Sequence, residues 1–448
     1  MSLLNKRESL ILFIGDIFVF YVSLIVMYFL RYGDFGWNSG FAQHLFPFSL
    51  LFSEWVLTFF ILGLYEKQTL ALRNKLPILI INAQVVNIFF AGVFFYFVPY
   101  FSITPKTNLL IYLVISIPLV LIWRLIISPK LESRKRQSAL LIGTGSEIEE
   151  LMTEVNNNKR YGFYFVNFID LNNRDLLNLK KDVMDLVANN GIEVIVINLN
   201  NEKIEPVLPY LYNLIFQGVR FIDKHRLYED IFDRVPLSIV KHGWFLENVA
   251  STPRRSYDIL KRSMDIFLSL ILGAISLIFY PFLYVAIKME DGGSFLIMQK
   301  RIGKNSRMIK TYKIRSMERN EEDPTQQNKN KITRIGSFIR KTRIDEIPQL
   351  WSVFIGEMSL IGPRPELPSA VKLYEEQIPY YGIRHLIKPG LSGWAQLYQE
   401  NHPHHTADIK ETRTKLSYDL FYIKNRSLLL DIKIALKTIK TILSRSGI

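Results

Sequence analysis

Two adjacent carboxylates, Asp345 and Glu346, stand in a stretch otherwise rich in cations: Arg334, Arg340, Lys341 and Arg343 precede them, and Arg364 follows between Pro363 and Pro365. Read locally, Asp345 is a helix N-cap, with Glu346 and a tolerated Pro348 in the first turn, ahead of the apolar run Leu350–Ile355. The cationic setting adds a second reading. A helix N-terminus flanked by guanidinium groups is an anion site. A carboxylate placed there stays ionised and close to any bound phosphate. Asp345 could then attack phosphorus while Glu346 holds a divalent cation.

Three further clusters carry polar chemistry. Gln299, Lys300, Arg301 and Gly303, with Tyr312, Lys313 and Arg315, alternate basic and apolar positions, as on a strand or turn. Such an alternation is ordinarily a solvated strand face. The segment from His385 to Gln396 is punctuated by Pro389, Gly390 and Gly393 and holds one aromatic, Trp394. It reads either as a structural turn or as a loop closing over a base or sugar. His402, His404 and His405 share one short stretch with no carboxylate partner, a poor metal set.

The elements that must position these residues are of two kinds. Apolar residues make up 49% of the 448-residue chain and charged residues 21%, with mean hydropathy +0.13. That balance fits a membrane anchor carrying a soluble part. Four apolar stretches, 9–30, 45–64, 77–98 and 108–127, each have about the length that crosses ~30 Å of hydrocarbon. Asp16 lies within the first and Pro118 within the fourth. Lys67, Arg73 and Lys75 follow the second stretch, and Lys130, Arg134, Lys135 and Arg136 follow the fourth. The positive-inside rule therefore puts both ends of this bundle in the cytoplasm. The net charge is +14, and residues 254–344 hold 19 Lys and Arg against 8 Asp and Glu. A block of this kind seeks phosphates, whether of nucleotides, lipid headgroups or nucleic acid. With no cysteine, disulfides, thiol catalysis and thiolate metal sites are excluded.

From 138 onward, β-rich runs at 138–142, 164–169, 194–197 and 219–222 alternate with helical ones at 146–157, 178–190 and 204–217, predicting a small parallel α/β domain. Its first turn, Gly143-Thr144-Gly145-Ser146, keeps two glycines of a dinucleotide fingerprint, but Ile148 takes the place of the third. A tight strand-to-helix turn explains both glycines without a ligand. Residues 256–289 form a mostly apolar helical segment broken near its end by Pro281, with Arg254, Arg255, Lys261 and Arg262 before it and Lys288, Lys300 and Arg301 after it. Two flanks of cytoplasmic type predict a segment that enters the membrane and returns. At the C-terminus, Lys433, Lys437 and Lys440 share one face of Leu428–Leu443. That helix either lies in a membrane surface or packs on the domain core. The expected organisation is a four-helix transmembrane bundle over 1–130, a degenerate Rossmann-like α/β domain over 131–250, and a re-entrant helix with a mixed α+β domain over 251–448.

Taken in order from Lys261 to the C-terminus, these motifs resemble the long-form monotopic polyprenyl-phosphate sugar-phosphate transferases, which initiate O-antigen, capsule and exopolysaccharide synthesis. The residues that carry the resemblance are Lys261-Arg262, Asp265, Pro281, Gln299-x-Arg301-x-Gly303, Tyr312-Lys313, Asp345-Glu346, Gly362-Pro363-Arg364-Pro365, Pro389-Gly390 and Gly393-Trp394-Ala395-Gln396. The resemblance implies transfer of a sugar-1-phosphate from a UDP-sugar to undecaprenyl phosphate, with release of UMP, in the bacterial inner membrane. It implies Asp345 as nucleophile, Glu346 as Mg²⁺ ligand and Pro281 as the membrane break. Lys313, Arg315, Arg340, Arg364 and Arg301 become substrate contacts. Membrane lipids are then the expected surroundings, a homodimer is compatible, and no nucleic-acid partner is implied. Tyr280, Ser294 and Lys388 depart from the family's usual Ser, Pro and Arg at those places. A rival reading, a membrane-bound nucleotide sensor, leaves the acid pair and Arg364 without a task; a second, a lipid-linked phosphodiesterase, is separated by Mg²⁺-dependent UMP release.

Overall fold

A computed structural model of the chain describes residues 6–33, 39–65, 76–98, 105–128, 136–145, 147–158, 161–171, 176–198, 203–249, 255–317, 332–399 and 408–443. The loop cations at 67, 73, 75, 130, 134 and 135, Ser146, the polar run 318–331 and the three histidines of 402–405 lie outside these residues. The chain divides into two compact units, Met1–Ile231 and Phe232–Ile448.

The first unit opens with four helices, α1 (Lys6–Tyr32), α2 (Ser39–Ile61), α3 (Leu76–Phe97) and α4 (Pro105–Ile122), the last continued by a π-helical turn, Trp123–Ile127. Each apolar stretch gives one helix long and apolar enough to cross a membrane. Phe20, Phe48, Trp55, Phe59 and Tyr112 fill the space between them. Asp16 is fully buried, as an acid in hydrocarbon must be, and its partner is Arg124, whose Nε donates to Oδ1 at 3.0 Å. The guanidinium also donates to the Leu64 carbonyl at 2.7 Å. Arg124 lies in the π-helical turn and carried no signal in the hydropathy pattern.

The α/β part follows the expected alternation: β1 (Gln137–Gly143), α5 (Glu147–Asn157), β2 (Phe163–Asp170), α6 (Leu176–Asn190), β3 (Val194–Ile197), α7 (Leu208–Ile215), β4 (Arg220–Asp223) and α8 (Lys224–Phe232). The four strands are parallel in the order β2-β1-β3-β4. Leu140, Ile142, Ile195 and Ile197 are buried beneath the helices. The two-glycine turn is filled by the chain itself: Lys224 Nζ donates to the Thr144 carbonyl at 3.2 Å, and its stem packs on Gly143.

In the second unit, α9 (His242–Asn248) precedes a bent pair, α10 (Arg255–Leu277) and α11 (Tyr280–Asp291), then an antiparallel hairpin of β5 (Leu296–Ile302) and β6 (Met308–Ile314). Beyond come α12 (Arg334–Lys341), a 3-10 turn (Ile344–Gln349), α13 (Leu350–Ile355), β7 (Ser359–Ile361), α14 (Pro368–Gln377), β8 (Gly390–Ser392), α15 (Trp394–Tyr398), α16 (Ile409–Asn425) and α17 (Leu428–Leu443). The boundary expected at 250 moves. Val235, Val240, Trp244 and Phe245 are buried against Val371, Tyr374, Leu416 and Leu420, so residues after 231 complete the core of the second unit.

α10 and α11 meet at a 54° bend, with Pro281 in the first turn of α11 and the break at residues 278–279. A proline there sacrifices only an unpaired N–H and sets its own φ, which is why the helix restarts at Tyr280. The polarity of α10 is inverted relative to a water-soluble helix. Asp265, Ser269 and Ser276 are buried while Phe267, Leu270 and Leu277 are exposed. Both ends of the pair attach to the same unit. Arg262 donates to the carbonyls of Val353 and Phe354 at 2.7 and 2.6 Å, and Asp265 accepts from Leu360 N at 3.0 Å. At the other end, Ile287 packs on Ile314 and Ile339, and Glu290 accepts from Arg334 N and Ile335 N at 2.6 and 3.2 Å, capping α12.

α17 combines the two readings of its sequence. Ile434 and Asp431 are buried, and Lys433 and Lys437 lie over the Trp394 and Tyr398 rings at 4.9 and 3.5 Å. The opposite side leaves Leu429, Ile432, Ile439 and Ile442 exposed.

Candidate active site

The β5–β6 hairpin brings the cations to the acids. Gln299 pairs with Thr311 across the ladder, and side chains two residues apart share a face, so Gln299, Arg301, Thr311 and Lys313 line one side. The expected solvated face is therefore the face turned to the acid pair. Lys313 Nζ donates to Glu346 Oε1 at 2.7 Å, and Arg364 donates to the same oxygen at 2.5 Å and to Oε2 at 3.4 Å. Arg343 stands 4.0 Å from Oε2. Arg301 donates to Gln299 Oε1 at 2.8 Å and to the Pro365 carbonyl at 3.3 Å, which fixes it against the loop that carries Arg364.

The helix-cap reading of Asp345 does not hold. Arg343 adopts a left-handed conformation (φ 54°, ψ 20°), and the acids lie in the 3-10 turn that follows. No hydrogen-bond cap forms there; the side-chain N-cap of this region is Thr333, whose Oγ1 accepts from Gly336 N at 2.8 Å. The Asp345 carboxylate accepts no hydrogen bond among the described residues.

The cations act unequally on the two acids. Although burial opposes it, Arg364 and Lys313 hold the Glu346 carboxyl far below the ordinary glutamate range. Burial, reinforced by the negative charge of Glu346, pushes the Asp345 carboxyl up against the pull of Lys313, Arg340 and Arg364. Two neighbouring carboxylates are thus driven apart in basicity, the pattern by which one site assigns them different tasks. Burial lowers Lys313, partly against the attraction of Glu346, and burial with the Arg364 charge lowers Arg301.

Arg315 is placed elsewhere. It is buried and donates to the Ser294 carbonyl at 2.8 Å, bracing the turn between α11 and β5, away from the residues that line the cleft. Lys388 stands beside Arg262 at Gly356, and burial lowers its basicity.

A second charged cluster, which the sequence reading missed, supports the Arg364 loop from beneath. Glu366 pairs with Lys415 and, at 3.4 Å, with Arg384. Arg384 is bound to Asp419 at 2.8 Å, to the Tyr381 hydroxyl at 2.7 Å and to the Arg364 carbonyl at 3.0 Å. Burial opposes it, but Lys415 and Arg384 hold the Glu366 carboxyl down to about 2.

The cations open onto a small, shallow cleft lined by Arg301, Thr311, Lys313, Gln349, Arg364, Pro365 and Gly390. Its back wall is main chain against main chain. Gly390 N donates to the Pro363 carbonyl and Gly362 N to that of Ser392, both at 2.9 Å, and a Cβ on Gly390 would lie 2.1 Å from Gly362 N.

Among the described residues no three carboxylates or histidines converge as a self-sufficient metal site. Mg²⁺ is ordinarily held by one or two carboxylates together with substrate phosphates, and Asp345 with Glu346 fits that donor set.

Residues 256–445 match the family model described as "Bacterial sugar transferase", and residues 60–222 match one described as "CoA-binding domain". A "UDP-N-acetylgalactosamine-undecaprenyl-phosphate N-acetylgalactosaminephosphotransferase" of Aeromonas hydrophila is 44% identical over 202 residues, 44% of this chain and 46% of that protein. The "Exopolysaccharide production protein PSS" of Rhizobium leguminosarum bv. phaseoli is 38% identical over 195 residues, 42% of this chain and 96% of that protein. A "UDP-galactose-lipid carrier transferase" of Erwinia amylovora is 30% identical over 362 residues, 70% of this chain and 69% of that protein. The match thus spans about half the length of the Aeromonas relative and more than two thirds of the other two. The chain belongs to the bacterial sugar transferase family, as a membrane protein with a Rossmann-like α/β part and a C-terminal transferase domain.

Proposed function

We propose that this protein transfers a sugar-1-phosphate from a UDP-sugar to undecaprenyl phosphate, releasing UMP and starting a surface polysaccharide. The observation that carries the reading is the division of labour in the acid pair. Glu346 is bound between Lys313 and Arg364, while Asp345, one residue away, accepts no hydrogen bond among the described residues and sits in the same field of cations. The Aeromonas and Erwinia relatives, named as a phosphotransferase to undecaprenyl phosphate and a lipid carrier transferase, support the same substrates.

In this reading an Asp345 carboxylate oxygen attacks the β-phosphorus, and the bond from that phosphorus to the bridging oxygen breaks, so UMP leaves with the bridging oxygen. A phosphate oxygen of the lipid then attacks the same phosphorus and releases the Asp345 carboxylate. Lys313, Arg340 and Arg364 stabilise the charge that accumulates on the transferring oxygens, the main task in phosphoryl transfer. A divalent cation at Glu346, when bound, would neutralise diphosphate charge. Attachment of both ends of the α10–α11 pair to one unit supports a segment that enters the bilayer and returns, on the cytoplasmic face of the inner membrane.

The test is a screen of UDP-sugars with undecaprenyl phosphate in nanodiscs, scored by UMP release. One donor should give UMP in the presence of lipid acceptor and Mg²⁺. Release of no UMP from any donor sinks the reading.

A further inference from the structure

The cleft beside Glu346 has an excess of donors. Arg301, Lys313 and Arg364 carry only donors, and the Thr311 hydroxyl is spent on the Gln299 carbonyl at 3.2 Å. Among these groups lies Gln349, 5% exposed, whose side-chain Nε2 is buried with no hydrogen-bond partner among the described residues. An unmade hydrogen bond on a buried amide is costly, so such a group marks a place where an acceptor belongs.

The position of Gln349 follows from the local helix. Residues three apart eclipse one another in a 3-10 turn, so Gln349 stands one turn beyond Glu346 on the same face. Lys313 and Arg364, which bind Glu346, also line the cleft with Gln349. A ligand that reaches these cations from the cleft presents its oxygens to Nε2. The chemistry that satisfies three cations and one neutral N–H donor together is an oxygen-rich anion with several acceptors on one centre.

We infer that Gln349 is a binding residue for the donor substrate, its Nε2 donating to a phosphoryl oxygen of the nucleoside diphosphate group. The inference rests on the proposed transfer reaction and adds a contact to it. It also assigns a reason for the spacing from acid to amide: the carboxylate holds the cations, and the amide one turn away reads the oxygens they attract.

The test is UDP binding by the full-length protein in nanodiscs, measured by calorimetry, with UMP release assayed in parallel. UDP is the part common to every UDP-sugar. Gln349→Met keeps the length of the side chain and removes the donor, and should weaken UDP binding roughly ten- to hundredfold, the usual loss for one hydrogen bond to a charged group. Gln349→Glu replaces the donor with a negative charge and should bind UDP more weakly still. The Michaelis constant for the donor should rise in step, while that for undecaprenyl phosphate stays put. UDP affinities of both variants within twofold of wild type overturn the inference. Unfolding of both variants, or a loss of turnover at unchanged UDP affinity, makes Gln349 a structural residue and overturns it too. Wild-type protein that binds no UDP would instead remove the transfer reading itself.

Discussion

Arg384 Nη2 donates to the main-chain carbonyl of Arg364 at 3.0 Å, so one guanidinium fixes the backbone from which another reaches Glu346. The same Arg384 answers two acids, Asp419 at 2.8 Å and Glu366 at 3.4 Å. Removing one partner of a buried ionic cluster leaves uncompensated charge, at roughly 3–5 kcal/mol. Arg384→Met should lower the thermal midpoint of the purified protein and reduce UMP release through a displaced Arg364. An unchanged midpoint together with full activity would contradict this linkage.

Asp345→Asn should abolish UMP release without changing expression or melting, because the amide cannot act as the nucleophile. The pH profile carries a second signature. Burial and the Glu346 charge raise the Asp345 carboxyl, so its reactive form is lost, as pH falls, at a pH above the ordinary value of about 3.9. The acid limb of kcat should lie above that figure; a limb at or below it counts against Asp345.

Glu346→Gln takes the anion from between Lys313 and Arg364 and should weaken the response of the rate to Mg²⁺. It also removes a charge that raises Asp345 and frees two cations that lower it. The acid limb of any residual activity should therefore move to lower pH. Movement to higher pH, or an unaltered Mg²⁺ titration, would exclude the assigned role.

Glu366 bears on stability in acid. Its folded carboxyl is depressed to about 2, whereas an unfolded glutamate titrates near ~4.3. A depressed acid contributes stability that is complete above the unfolded value and is lost as pH falls through the folded one. Melting of the wild type should decline between about pH 4.3 and 2, and Glu366→Gln, less stable at neutral pH, should decline less steeply there. Parallel curves would show that Glu366 does not set this slope.

The chain has no cysteine, so single probes report topology cleanly. Ser256 and Ser306 are both exposed, one at the start of α10 and the other beyond β5. Ser256→Cys and Ser306→Cys should react only with reagent that reaches the cytoplasm. Labelling of either from the periplasm in intact cells would reject a returning segment.

Much of this architecture was legible because it rests on local pattern. The membrane helices follow from uninterrupted apolar runs, and the parallel sheet from β-rich runs separated by helical ones. The pairing of Glu346 with Lys313 and Arg364 was not foreseen, although all three residues stood out as an acid among cations. What escaped depends on contacts made far along the chain. Glu366, Arg384, Lys415 and Asp419 are ordinary surface residue types, brought together where the segments flanking α14 meet α16, and no spacing advertises them. The N-cap expectation failed because Arg343 turns left-handed first, a backbone choice that a non-glycine residue does not announce. Arg315 is set apart from Lys313 by the backbone: two residues on, it would share the lysine's face on an extended strand, but the strand ends at Ile314.

The glycine-backed wall of the cleft sets a limit on divergence. Gly362 and Gly390 touch through main-chain atoms, so neither can exchange its hydrogen for a side chain without forcing β7 and β8 apart. Substitution there cannot sculpt a preference among donors. In the proposed reaction, any preference among sugars then belongs to side chains at the rim, over a floor that main-chain contact alone defines.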